Sequence, residues 1–303
     1  MAFSTKTGAA KLLLAVVIGL IGLKVAVAWF TGSISILAQA VDSLLDLFAG
    51  IITFSAVRIA SKPADEEHPY GHGKVEDIVG VVQGILIFGA GGLIIYSSIR
   101  RIVEGVSIEL TEAGIGVMLV SIAVSIFLSR HLLKVSQTTN SIALEANARN
   151  IAADVYSALA VLVGLLLVRF TRFNIIDPII GIGVALYILK TAYDVVFKSS
   201  SGLIDMRLPS AQEAVIKACL KEHERQVVGF HELRTRRAGS QRYIDLHLVM
   251  AKDIHLEQVH EICDQIEFEI QNKLPETNIT IHVEPCDDQC EQCSIICSKN
   301  QNG

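Results

Sequence analysis

Two short patterns carry residue types that could do chemistry. Ala40-Val41-Asp42-Ser43-Leu44-Leu45-Asp46 sets two carboxylates four residues apart, and Asn150-Ile151-Ala152-Ala153-Asp154 repeats the spacing with an amide and a third carboxylate. On an α-helix, residues at i and i+4 share a face one turn apart. Both patterns lie in apolar surroundings, where an unpaired ionised side chain is costly. Carboxylates brought together there repel one another until protons or a divalent cation bind. Competition between the two for one oxygen cage is the physical basis of metal/proton exchange. A water-filled crevice or a helix–helix hydrogen-bond network would explain any one of these residues, but two matched pairs favour the cage. An intramembrane aspartyl protease fits poorly, because Asp42 and Asp46 lie on one helix and no Gly-rich Asp motif matches them elsewhere.

The elements that must position these groups are long apolar helices. The chain has 303 residues, of which 51% are hydrophobic and 19% charged, and its mean hydropathy is positive. That is more apolar than one soluble core uses. Six stretches, about 9–30, 34–57, 78–97, 114–133, 146–168 and 175–197, are long enough to cross a bilayer, the fifth being the least clean. Basic residues gather before the first stretch (Lys6, Lys11), between the second and third (Arg58, Lys62, Lys74), between the fourth and fifth (Arg130, Lys134) and after the sixth (Lys198, Arg207). The positive-inside rule then puts both termini in the cytoplasm of a multi-pass inner-membrane protein surrounded by lipid. Lys24, inside the first stretch, needs a structural partner. No basic cluster interleaved with aromatics marks a nucleic-acid surface.

Beyond the sixth stretch the composition turns charged. Helical periodicity over 210–223, strands over 228–238 and 241–250, an amphipathic helix over 255–274 and a strand over 277–285 give an α-β-β-α-β order. The expected fold is thus an α-helical membrane protein with six transmembrane helices and a small cytoplasmic α+β domain of the metallochaperone or ferredoxin-like kind. The expected divisions are a transport domain over 1–206, a metal-binding dimerisation domain over 207–285 and a Cys-rich tail over 286–303. That tail spaces Cys286, Cys290, Cys293 and Cys297 as C-x₃-C-x₂-C-x₃-C. Thiolates so placed suit zinc or another soft metal, while a reduced, unmetallated tail is the other reading.

The segment Asp42-Ser43-Leu44-Leu45-Asp46, the run Lys62 to Glu76 containing Gly71-His72-Gly73-Lys74, and Ile281-His282-Val283-Glu284-Pro285-Cys286 occur in this order. Together they make the chain resemble the cation diffusion facilitator family, whose bacterial members export divalent zinc, iron, manganese or cobalt in exchange for protons. The resemblance implies a homodimeric secondary transporter, not an enzyme, with Asp42, Asp46, Asn150 and Asp154 as its transport site. Zinc-transporting relatives usually carry His where this chain has Asn150. Oxygen donors suit harder ions, so Mn(II) is favoured, with Zn(II) and Fe(II) as alternatives.

The resemblance also implies two further metal sites. Asp65, His68 and His72 form a loop site, and His231, His247, His260, His282 and Glu284 coincide with positions that hold a binuclear, regulatory or structural zinc site at the subunit interface of similar transporters. In related chains the Lys after Gly-His-Gly pairs with an Asp beyond the sixth helix, here Lys74 with Asp205. A transport-inactive metal sensor or assembly scaffold would use the same cytoplasmic domain and is the competing function.

Overall fold

A computed structural model describes residues 4–31, 34–104, 112–171 and 175–286, and it divides into two compact units, Met1–Leu203 and Ile204–Gly303. Among the described residues the first unit is helical throughout: α1 (Lys6–Thr31), α2 (Ile34–Ala60), α3 (Lys74–Glu104), α4 (Glu112–Thr139), α5 (Ile142–Thr171) and α6 (Ile176–Leu203). Each helix runs past the apolar stretch that announces it, because hydrocarbon thickness limits hydropathy and not the hydrogen-bonded ladder. Within the described residues, five of these helices are long and apolar enough to cross a membrane. The remaining one, α5, carries Glu145, Arg149 and Asp154 in its first half.

These helices are apolar on most faces, as membrane spans are. Leu13 and Val17 of α1, Ala56 and Val57 of α2, Leu128 and Leu132 of α4, and Leu144 and Ile151 of α5 form one buried cluster. Large side chains such as Trp29, Phe30, Leu45, Leu93 and Phe127 are left exposed, the pattern of a surface solvated by lipid. Helices α3 and α6 approach closely through small residues. A Cβ added at Gly91 would lie 2.9 Å from Leu189 Cδ2, and one at Gly84 would collide with Val196. The α4–α5 link turns at Asn140, whose φ of 53° is tolerated by an Asn side chain, and Ser141 Oγ then accepts from the Leu144 N–H at 3.4 Å to cap α5.

The second unit contains α7 (Ser210–Glu222), β1 (Gly229–Ala238), β2 (Gln241–Met250), α8 (Leu256–Lys273) and β3 (Thr277–Pro285), in the expected α-β-β-α-β order. Its three-stranded sheet is ordered β1-β2-β3, with β1 and β2 antiparallel and β2 and β3 parallel. Gly239, at φ 59°, supplies the tight turn between β1 and β2. Period-two alternation buries Ile244, Leu246, Leu248 and Met250 on one face of β2. Against them lie Ile216 and Cys219 of α7 and Ile262, Ile266 and Ile270 of α8, whose spacing of four marks a helical stripe. His255, unassigned by sequence, caps α8 by accepting from the Glu257 N–H at 3.4 Å. His223, equally unassigned, is buried with Nε2 3.3 Å from Glu269 Oε2.

Candidate functional site

In the first unit Asp46 is half-buried on α2, Asn150 half-buried on α5, and Asp154 exposed one turn further along α5. The Asp42 backbone belongs to α2, while its side chain lies outside the described residues. Helices α2 and α5 pack together. Asn147 Nδ2 donates to Thr53 Oγ1 at 3.2 Å across them, and both residues are buried. Neighbouring helices of an up-and-down bundle alternate in direction, so α2 and α5 run oppositely. Seven residues back from Thr53 is Asp46, and seven forward from Asn147 is Asp154. Both steps cover about 10.5 Å in the same direction along the bundle, at a rise of ~1.5 Å per residue. The two carboxylates therefore share one height. Lys24 finds its partner nearby: its ammonium donates to Ser43 Oγ at 2.6 Å and to the Gln39 carbonyl at 3.4 Å.

Asp65, His68 and His72 converge in the turn between α2 and α3. Asp65 Oδ1 lies 3.1 Å from His68 Nδ1, and Asp65 Oδ2 lies 3.3 Å from His72 Nε2. The His68 N–H also donates to Asp65 Oδ1 at 2.7 Å, and this bond is the main reason the Asp65 carboxyl sits below its usual range. Gly71, at φ 75°, allows the reversal that returns His72 to Asp65.

On the sheet, His231, His247 and His282 are paired across all three strands. Neighbouring ring centroids are 5.2 Å apart for His231 and His247 and 4.7 Å apart for His247 and His282. Glu284 bridges the row, with Oε2 3.0 Å from His231 Nε2, and Oε1 2.8 Å from His247 Nδ1 and 3.7 Å from His282 Nε2. The hydrogen bond from His247 is the leading cause of a lowered Glu284 pKa. Tetrahedral zinc with bonds of about 2.0–2.1 Å holds ligand atoms ~3.4 Å apart, so donors separated by these distances fit such an ion after small shifts. His260 is not brought into the row; it lies on α8, 3.7 Å from Asp264. Glu232, which sequence reasoning missed, reaches within 3.8 Å of His247 Nε2 because a register shift between His231 and Arg234 puts it at φ 49°.

Lys74 opens α3 and donates to the Leu203 carbonyl of α6 at 3.4 Å. Within the second unit Asp205 accepts from Arg236 at 3.3 Å. Cys286 is buried, with its backbone N–H bonded to the Met250 carbonyl at 2.9 Å. Cys290, Cys293 and Cys297 lie outside the described residues.

A bundle of apolar helices bearing carboxylate and amide oxygens within their spans, joined in sequence to a small sheet domain with clustered His and Glu, defines a membrane protein that handles metal cations. Residues 10–204 match the cation efflux transmembrane domain, and residues 208–286 match the cation efflux protein cytoplasmic domain. The chain belongs to the cation diffusion facilitator family, whose members are metal-cation efflux transporters and not enzymes. It is 33% identical over 267 residues to the uncharacterized transporter sll1263 of Synechocystis, covering 88% of this chain and 86% of that one. It is also 33% identical over 264 residues to the cation-efflux pump FieF of Salmonella paratyphi A, covering 87% of each. Two solved chains of CzrB, one in a Zn form, are 37% and 36% identical over 26% of this chain; they are covered to 99% and 90%, with TM-scores of 0.26 and 0.25.

Proposed function

We propose that this transporter carries a divalent transition-metal ion out of the cytoplasm in exchange for protons, with Asp42, Asp46, Asn150 and Asp154 as its transport site. The observation that carries the reading is the register of α2 and α5: the Thr53–Asn147 hydrogen bond puts Asp46 and Asp154 at one height in helices that pack together. A divalent cation offsets two of the three carboxylate charges while a proton stays on the third, and when the ion leaves, two more protons take its place, so the site stays neutral in the bilayer. An amide at position 150, in place of an imidazole nitrogen, favours Mn(II), with Zn(II) and Fe(II) as the alternatives.

The same reading places both termini in the cytoplasm and two chains in the working assembly. Metal at His231, His247, His282 and Glu284, with His260 joining in one arrangement of the dimer, favours one conformer and so reports cytoplasmic supply. Asp65, His68 and His72 form a second cytoplasmic binding site. Cys286 and the three tail cysteines hold a soft ion when metallated, outside the transport path.

Inside-out vesicles supplied in turn with Mn, Fe, Zn, Co and Cd test the proposal. Uptake led by Mn and accompanied by proton release is expected. Absence of uptake of every ion by purified, folded protein would leave the sensor or scaffold reading in its place.

A further inference from the structure

Three buried, uncharged polar side chains meet two turns below Asp46 and Asp154, at the end of the bundle nearer the Asp65–His72 turn. Thr53 of α2 and Gln83 of α3 are 0% exposed, and Asn147 of α5 is 1% exposed. Thr53 Oγ1 donates to the Ala49 carbonyl at 2.9 Å and accepts from Gln83 Nε2 and Asn147 Nδ2, both at 3.2 Å. Gln83 Nε2 also donates to the Ala49 carbonyl at 3.0 Å. One hydroxyl thus holds two amide groups side by side, while the oxygens Asn147 Oδ1 and Gln83 Oε1 are buried with no hydrogen-bond partner among the described residues. Flipping either amide would not help, because the Thr53 proton is already committed to Ala49. Buried carbonyl oxygens in a spanning bundle need a donor, a water or a cation.

The line of oxygens continues toward the loop end. Glu76 lies seven residues before Gln83 on α3 and is 0% exposed, beside Ser141 and the first turn of α5. The polar groups therefore follow one another at two-turn intervals: Glu76, then Gln83 with Thr53 and Asn147, then Asp46 and Asp154.

We propose that Thr53, Gln83 and Asn147 form a cation station separate from the transport site. There a partly hydrated divalent ion, moving between the loop end and Asp46 and Asp154, exchanges water for Asn147 Oδ1 and Gln83 Oε1. Amide oxygens suit a transit site because they bind hard cations, yet carry no charge that would hold the ion against the three carboxylates beyond. Thr53 positions both amides and does not itself face the ion. The inference rests on the transport reading above, and the test separates the two.

Full-length protein is purified as wild type, Asn147→Asp and Asn147→Ala, each also with Asp46→Asn and Asp154→Asn combined, and Mn(II) binding is followed by electron paramagnetic resonance. A carboxylate at position 147 should turn the station into a stable site. In the Asp46→Asn, Asp154→Asn background, Asn147→Asp is expected to bind one additional Mn(II) per chain that Asn147→Ala lacks. In the otherwise native background, Asn147→Ala should lower Mn(II) uptake into liposomes about tenfold, the scale of one lost buried polar contact. Gln83→Glu provides an independent variant should Asn147→Asp not fold. Folded acidic variants at both positions that bind no extra Mn(II) would overturn the station and leave a purely structural clasp. Wild-type uptake in the same liposomes reports on the transport reading separately.

Discussion

Asn147 of α5 donates to the hydroxyl of Thr53 of α2 at 3.2 Å, and the bond joins the two helices that bear the paired polar motifs. Removing the shared hydroxyl takes away the Asn147 amide's acceptor and one of the two acceptors of Gln83, which keeps the Ala49 carbonyl. Thr53→Val keeps the shape of the side chain and is expected to cost about 1–3 kcal/mol, read as a lower thermal midpoint of the purified protein. A midpoint equal to that of the wild type would show that the bond does not hold α2 to α5.

In the proposed transport site, ion choice follows from the donor at position 150. Asn150→His exchanges an amide oxygen for imidazole nitrogen and should shift preference from Mn(II) toward Zn(II) by roughly tenfold, the low end of what one pocket contact discriminates. Competition between Zn and Mn in vesicle uptake measures the ratio, and an unchanged ratio would remove Asn150 from the site.

Metal at the sheet site should stabilise the second unit by linkage. At free zinc of about 100 times its dissociation constant the gain is ~2.7 kcal/mol per site. Zinc is expected to raise the unfolding midpoint of wild-type protein and to raise it less in His247→Ala, since His247 lies 2.8 Å from Glu284 Oε1 and pairs with both His231 and His282. Equal rises would place the ion elsewhere.

Glu213 of α7 is buried and bonded to Arg207 at 3.0 Å and to Thr235 at 3.0 Å, and the Arg207 guanidinium is the main reason its carboxyl stays below the usual range. A depressed folded-state pKa contributes stability that is full above the unfolded pKa of about 4.3 and is lost as pH falls through the folded value. Wild type and Glu213→Gln should therefore differ in midpoint near neutrality and converge toward acid pH. A gap that persists or widens in acid would contradict this assignment.

The α+β unit was legible almost to the residue, because alternation along β2 and the four-residue stripe of α8 are strong periodic signals. Boundaries in the membrane unit were less so. Helix α3 begins at Lys74, whereas hydropathy starts it near 78, since Glu76 and Asp77 look like loop residues yet are fully buried. Thr53, Gln83 and Asn147 escaped notice because uncharged polar side chains barely disturb hydropathy. The seven-residue offsets from Asp46 and Asp154 were the signal that could have found Thr53 and Asn147. Glu232 was hidden for another reason: only the irregular pairing of β1 with β2 turns it toward His247.

The proposed cation cage of α2 and α5 is tested most directly by counterflow in proteoliposomes with a pH-sensitive dye inside. Wild-type protein should couple inward movement of Mn(II) to outward movement of protons, and Asp46→Ala combined with Asp154→Ala should abolish both. Full metal flux in that double variant, or wild-type metal flux without any proton movement, would contradict the account.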